Sequence, residues 1–229
     1  MGNEMHHIKG PVANPVVASI ELPSSKSILN RFLLMSALQG VEVNPEDLTN
    51  EADDTLLMQN ILQRIPSAGG AKGDALTELD CGNAGTVARM AGIFAAYRGG
   101  NYLLTGDSRL CERPVHELAE ILQQAGVEIS YESREGMLPM LIRSDGFRNN
   151  IFKPETRISS QHLSGLLLTG PFVPGGITVR VPRHSVSMPY VEMTISMMRK
   201  AGARVDITED TIVVRPGIYT NLKIVREPD

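Results

Sequence analysis

Tryptophan is absent from these 229 residues, and cysteine is nearly so, with only Cys81 and Cys111. Two cysteines 30 positions apart, with no CxxC pair, supply neither a disulfide framework nor a zinc ligand set. Each reads as a small hydrophobe in a reducing cytosol. No apolar run approaches the roughly 18 residues of a membrane span, and no basic n-region leads into an apolar h-region at the N-terminus. The start MGNEMH lacks the Ser or Thr of a myristoylation signal, and His6 and His7 look like part of a leader. Positive charge is not in excess. The 22 basic and 26 acidic residues leave a net charge of −4, which argues against nucleic acid or a membrane surface as partner. Neither GxxxxGK[ST] nor GxGxxG occurs, and the HELAE run at His116 lacks the second His of a zinc-protease helix. A chain of this length buries about 70% of its unfolded surface, enough for one large domain or two small ones without covalent staples.

What is present is a recurrent device: a short polar cluster opening a helix that is apolar nearly all round. The runs Ile28 to Leu38, Val87 to Tyr97 and Leu163 to Leu168 are near-continuous rather than striped, the pattern of a helix buried on all sides. They follow Ser24-Ser25-Lys26-Ser27, Asn83-Ala84-Gly85-Thr86 and Ser159-Ser160-Gln161. In the first cluster Lys26 and Arg31 fall in the opening turns, where the helix dipole is already positive and free N–H groups point outward. Cations there make sense if an anion sits over the helix end, held by N–H groups, the Ser25 and Ser27 hydroxyls and the two basic side chains. The competing reading is a serine N-cap followed by solvated basic residues.

A second, more amphipathic set of helices spans Asp54 to Ile65, Pro114 to Ala125 and Pro189 to Ala201, the last two with Pro at or near the first helical position and Gly just past the end. From Ser25 to Asp53, Asn83 to Arg113 and Ser159 to Ser187 the intervals are 28, 30 and 28 residues, which suggests a triplication. Strands are expected at Leu76 to Leu79, Tyr102 to Thr105 and Ile177 to Val181, with hairpins pairing Val127 to Tyr131 with Met140 to Arg143, and Val205 to Thr208 with Thr211 to Arg215. The Gly- and Ala-rich stretch from Ser67 to Asp74 reads as an exposed loop. Each unit is then strand, helix, strand, helix, strand, strand. The apolar first helices predict three mutually packed central helices with sheets and amphipathic helices around them. An ordinary α/β sandwich with chance spacings is the alternative.

Corresponding places in the three units carry anion-binding elements. NAGTVAR combines Asn83, Gly85, whose missing side chain lets a ligand approach the backbone, Thr86 as a hydroxyl donor and Arg89 one turn in. Arg113 precedes a helix expected to begin at Pro114. Ser159, Ser160 and Gln161 offer two hydroxyls and an amide, and Ser187 opens the last helix just before Tyr190. His162 and His184 stand alone and read as surface or satisfied histidines. Singly these signals are weak, since Ser is a default N-cap and Gly a default turn residue. Together they describe a polyanion cradle.

The stretches LPSSKSILNR, DCGNAGTVARM, LTGDSRLCERP, RISSQHLSGLLL and SVSMPYVEMTISMM closely resemble the enolpyruvyl transferases of the shikimate pathway, the EPSP synthase family, from about Leu22 to Asp229. Ser24 departs from the family's usual Gly, though a small residue still fits. A sister family acting on a nucleotide sugar shares the fold, but the Ser-Lys-Ser and Ser-Ser-Gln signatures favour the shikimate enzymes. The resemblance implies an inside-out α/β lobe of three βαβαββ units around buried helices. It implies that Lys26 contacts both substrates. Ser27, Arg31, Ser159, Ser160, Gln161 and Ser187 would hold shikimate 3-phosphate, while Gly85, Arg113, Lys26 and Gln161 would hold phosphoenolpyruvate. Asn83, Thr86, Arg89 and Tyr190 would support them. No metal or organic cofactor is implied, and the enzyme is expected in the cytoplasm.

In that family a second lobe carries the acid and base residues, so this chain is expected to be the N-terminal lobe, catalytically incomplete without its partner lobe. Residues 1–20 would belong with that second lobe, 21–225 would form the substrate-binding lobe, and 226–229 the start of the crossover. A non-catalytic module that binds a phosphorylated hydroxy acid is the alternative.

Overall fold

The computed structural model describes residues 24–48, 51–66, 75–154, 159–181 and 188–224. The loop expected from Ser67 to Asp74, the segments 1–20 and 226–229, and Ser187 lie outside the described residues.

Helix α1 (Lys26–Gln39) ends at Gly40, whose φ of 74° lets its N–H turn back onto the Ala37 and Ser36 carbonyls. It is followed by α2 (Asp53–Arg64), β1 (Leu76–Asp80), α3 (Gly85–Arg98), β2 (Gly100–Thr105), α4 (Ser108–Cys111), α5 (His116–Gln124), β3 (Glu128–Tyr131) and β4 (Met140–Ser144). The next unit runs β5 (Ile151–Phe152), α6 (Ser160–Thr169), β6 (Ile177–Arg180), α7 (Met188–Lys200), β7 (Val205–Ile207) and β8 (Thr211–Val214).

The strands form two four-stranded sheets of one design, ordered β1-β2-β4-β3 and β5-β6-β8-β7. In each, the strands flanking the buried helix are parallel and the closing hairpin is antiparallel, with β1 beside β2 at Leu76↔Asn101 and β5 beside β6 at Ile151↔Thr178. Two βαβαββ units are therefore complete among the described residues, and the pair α1 and α2 supplies the helices of the first. The strand expected at Leu76 opens the second unit.

Helices α1, α3 and α6 pack on one another, as their apolar runs predict. In α3 every residue from Val87 to Ala96 is buried, and in α6 every residue from His162 to Thr169. Small residues permit the close approach. A Cβ on Gly165 of α6 would meet Ile93 Cδ1 at 3.1 Å and Met90 Cα at 3.3 Å on α3. The amphipathic helices lie outside this trio, α7 against α6 and β7, α5 against α3 and β3, α2 against α1 and β1. This is the inside-out α/β arrangement, with helices at the centre and sheets around them.

One boundary differs in a way that matters for the site. Helix α5 starts at His116, not Pro114: Val115 is non-helical at φ −125°, and its N–H is taken by Gly136 O at 2.8 Å. Arg113 instead follows the short α4, with its N–H on Leu110 O at 3.0 Å. The sequence reading also passed over α4 and β5, elements of four and two residues too short to show a period.

Candidate active site

Helices α1, α3 and α6 pack on one another, and side-chain hydrogen bonds near their starts bring several of the expected site residues together. Gln161 on α6 donates from Nε2 to Thr86 Oγ1 on α3 at 2.8 Å. One turn further along α6, the Ser164 hydroxyl accepts from Arg31 Nη2 of α1 at 2.9 Å.

At the start of α3 the buried backbone of Gly85 is flanked by two guanidinium groups. A Cβ on Gly85 would stand 2.7 Å from Arg89 Nη1 and 2.8 Å from Arg113 Nη1, so only glycine leaves both cations close to the backbone. Arg89 is buried and fixed by the Gly85 carbonyl at 2.9 Å and the Pro114 carbonyl at 3.4 Å. Burial, and then the neighbouring Arg113 charge, hold its pKa below the usual arginine value, while Glu117 opposes the shift. Two like charges and a positive helix end are held together, offset in part by Glu117. An anion would relieve that imbalance. The turn before α3 is braced from the side, with the Gly82 carbonyl accepting from Asp107 N at 2.9 Å and Gly106 leaving no room for a Cβ beside that carbonyl. Asn83 stands exposed in this turn.

The basic residues of α1 part company. Arg31 is 2% exposed and donates to Thr194 Oγ1 at 2.7 Å, Ser164 Oγ at 2.9 Å and the Ser27 carbonyl at 2.6 Å, with Tyr190 over its guanidinium at 5.9 Å. Burial lowers its pKa to about 10, so it stays charged at neutral pH. Lys26, the first residue of the helix, is more than half exposed and pairs with Asp54 Oδ2 at 2.9 Å. Ser25 occupies the N-cap position without a side-chain capping bond, so the capping reading does not account for its hydroxyl. Ser159 does cap α6, its hydroxyl accepting from Gln161 N at 3.3 Å, and Ser160 begins the helix, buried.

Behind this rim lie residues that sequence reasoning missed. Glu117 Oε2 accepts from Ser159 N at 2.8 Å and sits 3.0 Å from His162 Nδ1. The His162 imidazole, then the Ser159 N–H, hold the Glu117 carboxyl below the ordinary value against an opposing effect of burial. Burial pushes the His162 pKa down, keeping the ring neutral, and neither ring nitrogen has a well-aligned hydrogen bond. Ser164 and Thr194 could have been suspected as buried polar residues inside apolar helical faces, and Glu51 takes both the N–H and the hydroxyl of Ser24 at 2.8 Å. Burial raises the Cys81 thiol to about 12, so it stays protonated and unreactive. Among the described residues no group of three or more His, Cys, Asp or Glu side chains could hold a metal ion, and no helix is long and apolar enough to cross a membrane.

Residues 12–229 match the family model for EPSP synthase (3-phosphoshikimate 1-carboxyvinyltransferase). A 3-phosphoshikimate 1-carboxyvinyltransferase from Ralstonia nicotianae is 33% identical over 221 residues, covering 88% of this chain and 50% of the relative. A second, from Halalkalibacterium halodurans, is 31% identical over 233 residues, covering 96% of this chain and 52% of the relative. The chain thus spans about half the length of the curated relatives it matches. The fold is shared with an EPSP synthase from Acinetobacter baumannii (TM-score 0.66, 22% identity, 86% of this chain and 46% of that one). It is shared also with the enolpyruvyl transferase NikO from Streptomyces tendae (TM-score 0.53, 16% identity, 95% of this chain and 53% of that one). Signature segments, fold and matched length agree: the chain belongs to the EPSP synthase family.

Proposed function

We propose that this chain is the substrate-binding lobe of an enzyme that transfers the carboxyvinyl group of phosphoenolpyruvate to the 5-hydroxyl of shikimate 3-phosphate, releasing phosphate. The observation that carries the reading is Gly85, flanked by Arg89 and Arg113 at a helix N-terminus, next to the Thr86 that accepts from Gln161. In this reading Gly85, Arg113, Lys26 and Gln161 face phosphoenolpyruvate, with Arg89 and Thr86 behind them and Asn83 at their edge. Lys26, Ser27, Ser159, Ser160, Gln161 and Ser187 face shikimate 3-phosphate, while Arg31, expected to hold it too, is buried on Thr194, Ser164 and the Ser27 carbonyl and supports the site from behind, beside Tyr190. Residues 21–225 form the lobe, 1–20 pack with a second lobe and 226–229 begin the crossover to it, in a cytosol that keeps Cys81 and Cys111 reduced.

Chemistry requires more than this rim. Positioned acid and base groups contribute about 10²- to 10⁴-fold, and closing two lobes excludes water from a shared cleft. In this reading those groups belong to the second lobe, so the chain alone binds but does not turn over.

Calorimetric titration with shikimate 3-phosphate tests the binding half. Wild type binds weakly and with salt sensitivity, because exposed Lys26 contributes through a screened field, and Lys26→Ala and Ser160→Ala each weaken binding about tenfold. Unchanged affinity in both variants would overturn the assignment. A phosphate-release assay with the second half of a relative supplied in trans tests the other part. Silence from a verified, folded mixture would support a non-catalytic binding module instead.

A further inference from the structure

One carboxylate at this site serves the protein rather than the cleft. Glu117 stands in the first turn of α5, where a negative charge is favoured by the helix dipole. Serving that dipole alone would leave it pointing to water. Instead its side chain is 26% exposed and reaches across to the start of α6, 42 positions further along the chain. There Oε2 takes the Ser159 N–H at 2.8 Å and lies 3.0 Å from Nδ1 of an imidazole that is 2% exposed. The Ser159 N–H is one of the four donors that a helix start leaves without intrahelical partners.

The same carboxylate is the acidic group that offsets the paired cations, acting on Arg89 against both burial and the Arg113 charge. Its charge thus favours the Arg89 cation of α3 while its oxygen holds the Ser159 end of α6. Between those two helices runs the Gln161–Thr86 hydrogen bond. A shift of α6 by a few tenths of an ångström would stretch that bond and move Ser160 and Gln161 relative to Gly85.

We infer that Glu117 is a positioning residue, a clamp whose grip on Ser159 sets the rotation and height of the first turn of α6 and so the place where Ser160 and Gln161 meet a phosphorylated ligand. This deepens the reading under Proposed function and rests on it for the identity of the ligand. Touching no substrate itself, Glu117 acts through the backbone it holds.

Two readouts on Glu117→Ala and Glu117→Gln test the clamp. Hydrogen exchange followed by NMR reports on the Ser159 amide without any ligand, and calorimetry reports shikimate 3-phosphate affinity, with Ser160→Ala as the direct-contact control. In Glu117→Ala the Ser159 amide exchanges about tenfold faster or more while amides of α3 and β2 keep their rates, and the ligand binds about tenfold more weakly. Glu117→Gln keeps a neutral acceptor and recovers most of both. The inference is overturned if the Ser159 amide is unchanged in Glu117→Ala, if it speeds up only together with α3 and β2, or if Ser159 is released and affinity stays at the wild-type value. Should wild type not bind shikimate 3-phosphate, the ligand assignment fails by itself and the selective release of Ser159 still decides the clamp.

Discussion

At Gly85 the site is decided by one absent carbon atom. Alanine would add helix propensity at the first position of α3, worth up to about 1 kcal/mol over glycine, while its Cβ would stand 2.7 and 2.8 Å from the two guanidinium groups. Arg89 is held by two carbonyls, so the exposed Arg113 is the side chain that swings away. Arg89 Nη1, 2.7 Å from the new Cβ, cannot give way without loosening one of those carbonyl bonds, so Gly85→Ala is expected to lower the urea midpoint despite its gain in propensity. Under the proposed assignment, its binding of phosphoenolpyruvate weakens about tenfold or more, the equivalent of losing one charge-assisted hydrogen bond of roughly 1.5–3 kcal/mol. Parallel denaturation and calorimetry check both losses; loss of stability without loss of binding would contradict the assignment. This constellation was legible in the sequence because glycine and arginine at a helix start carry their chemistry in their identity. The clamp at Glu117 was not, because its partner is the backbone N–H of Ser159, which no residue type announces. Arg31 lay between the two cases. Its charge was plain, but its burial depends on Ser164 and Thr194, 133 and 163 positions away.

Among the elements, the pair α3 and α6 sets the distance between the two halves of the cradle. A Cβ added at Gly165 would meet Ile93 Cδ1 at 3.1 Å, a side-chain end that can yield, and Met90 Cα at 3.3 Å, a backbone atom that cannot without moving the helix. Gly165→Ala should thus stay within about 1 kcal/mol of wild type, since its gain in helix propensity offsets a small displacement. Gly165→Val must separate the helices and is expected to cost about 1–3 kcal/mol, lowering the urea midpoint while also weakening anion binding by stretching the Gln161–Thr86 bond. Equal stability of the two variants would show that the helices do not meet at Gly165. The helices themselves could be read in advance. Their apolar runs, glycine stops and spacings of 28 to 30 residues foretold three buried helices and repeated units. Where the reading slipped was at boundaries set by tertiary contacts. Pro114 would ordinarily mark a first helical position, but the Gly136 carbonyl captures the Val115 N–H and delays α5 by two residues. Two-residue β5 owes its existence to pairing with β6, and nothing local encodes it.

For the whole molecule, net charge and site charge point in opposite directions: the chain carries −4, yet cations stand near the starts of α1 and α3. His162 lies at the α5–α6 junction, inside α6 and against Glu117 of α5, with Arg89 and His116 also acting on it. Burial is the largest influence and pushes its pKa below 6.5; Glu117 raises it, and Arg89 and His116 lower it further. Below pH 6.5 the unfolded chain therefore takes up a proton that the folded chain refuses. The unfolded state binds more protons, and stability falls as pH falls. Glu117, depressed from 4.5, adds loss in the same direction only at still lower pH. The contribution is complete above pH 6.5 and shrinks below it at a limiting slope of about 1.4 kcal/mol per pH unit for one proton. Urea unfolding at pH 7.5 and 5.5 is expected to show wild type losing about 1 kcal/mol across that interval. His162→Phe, an apolar ring at the same buried position, should lose much less, because the variant has no imidazole there for the unfolded chain to protonate. Identical losses in the two proteins would mean that the ring is protonated in the folded state and that the α5–α6 junction already accommodates its charge. A flatter curve for His162→Phe would place the acid sensitivity of the fold at the junction that positions Ser159.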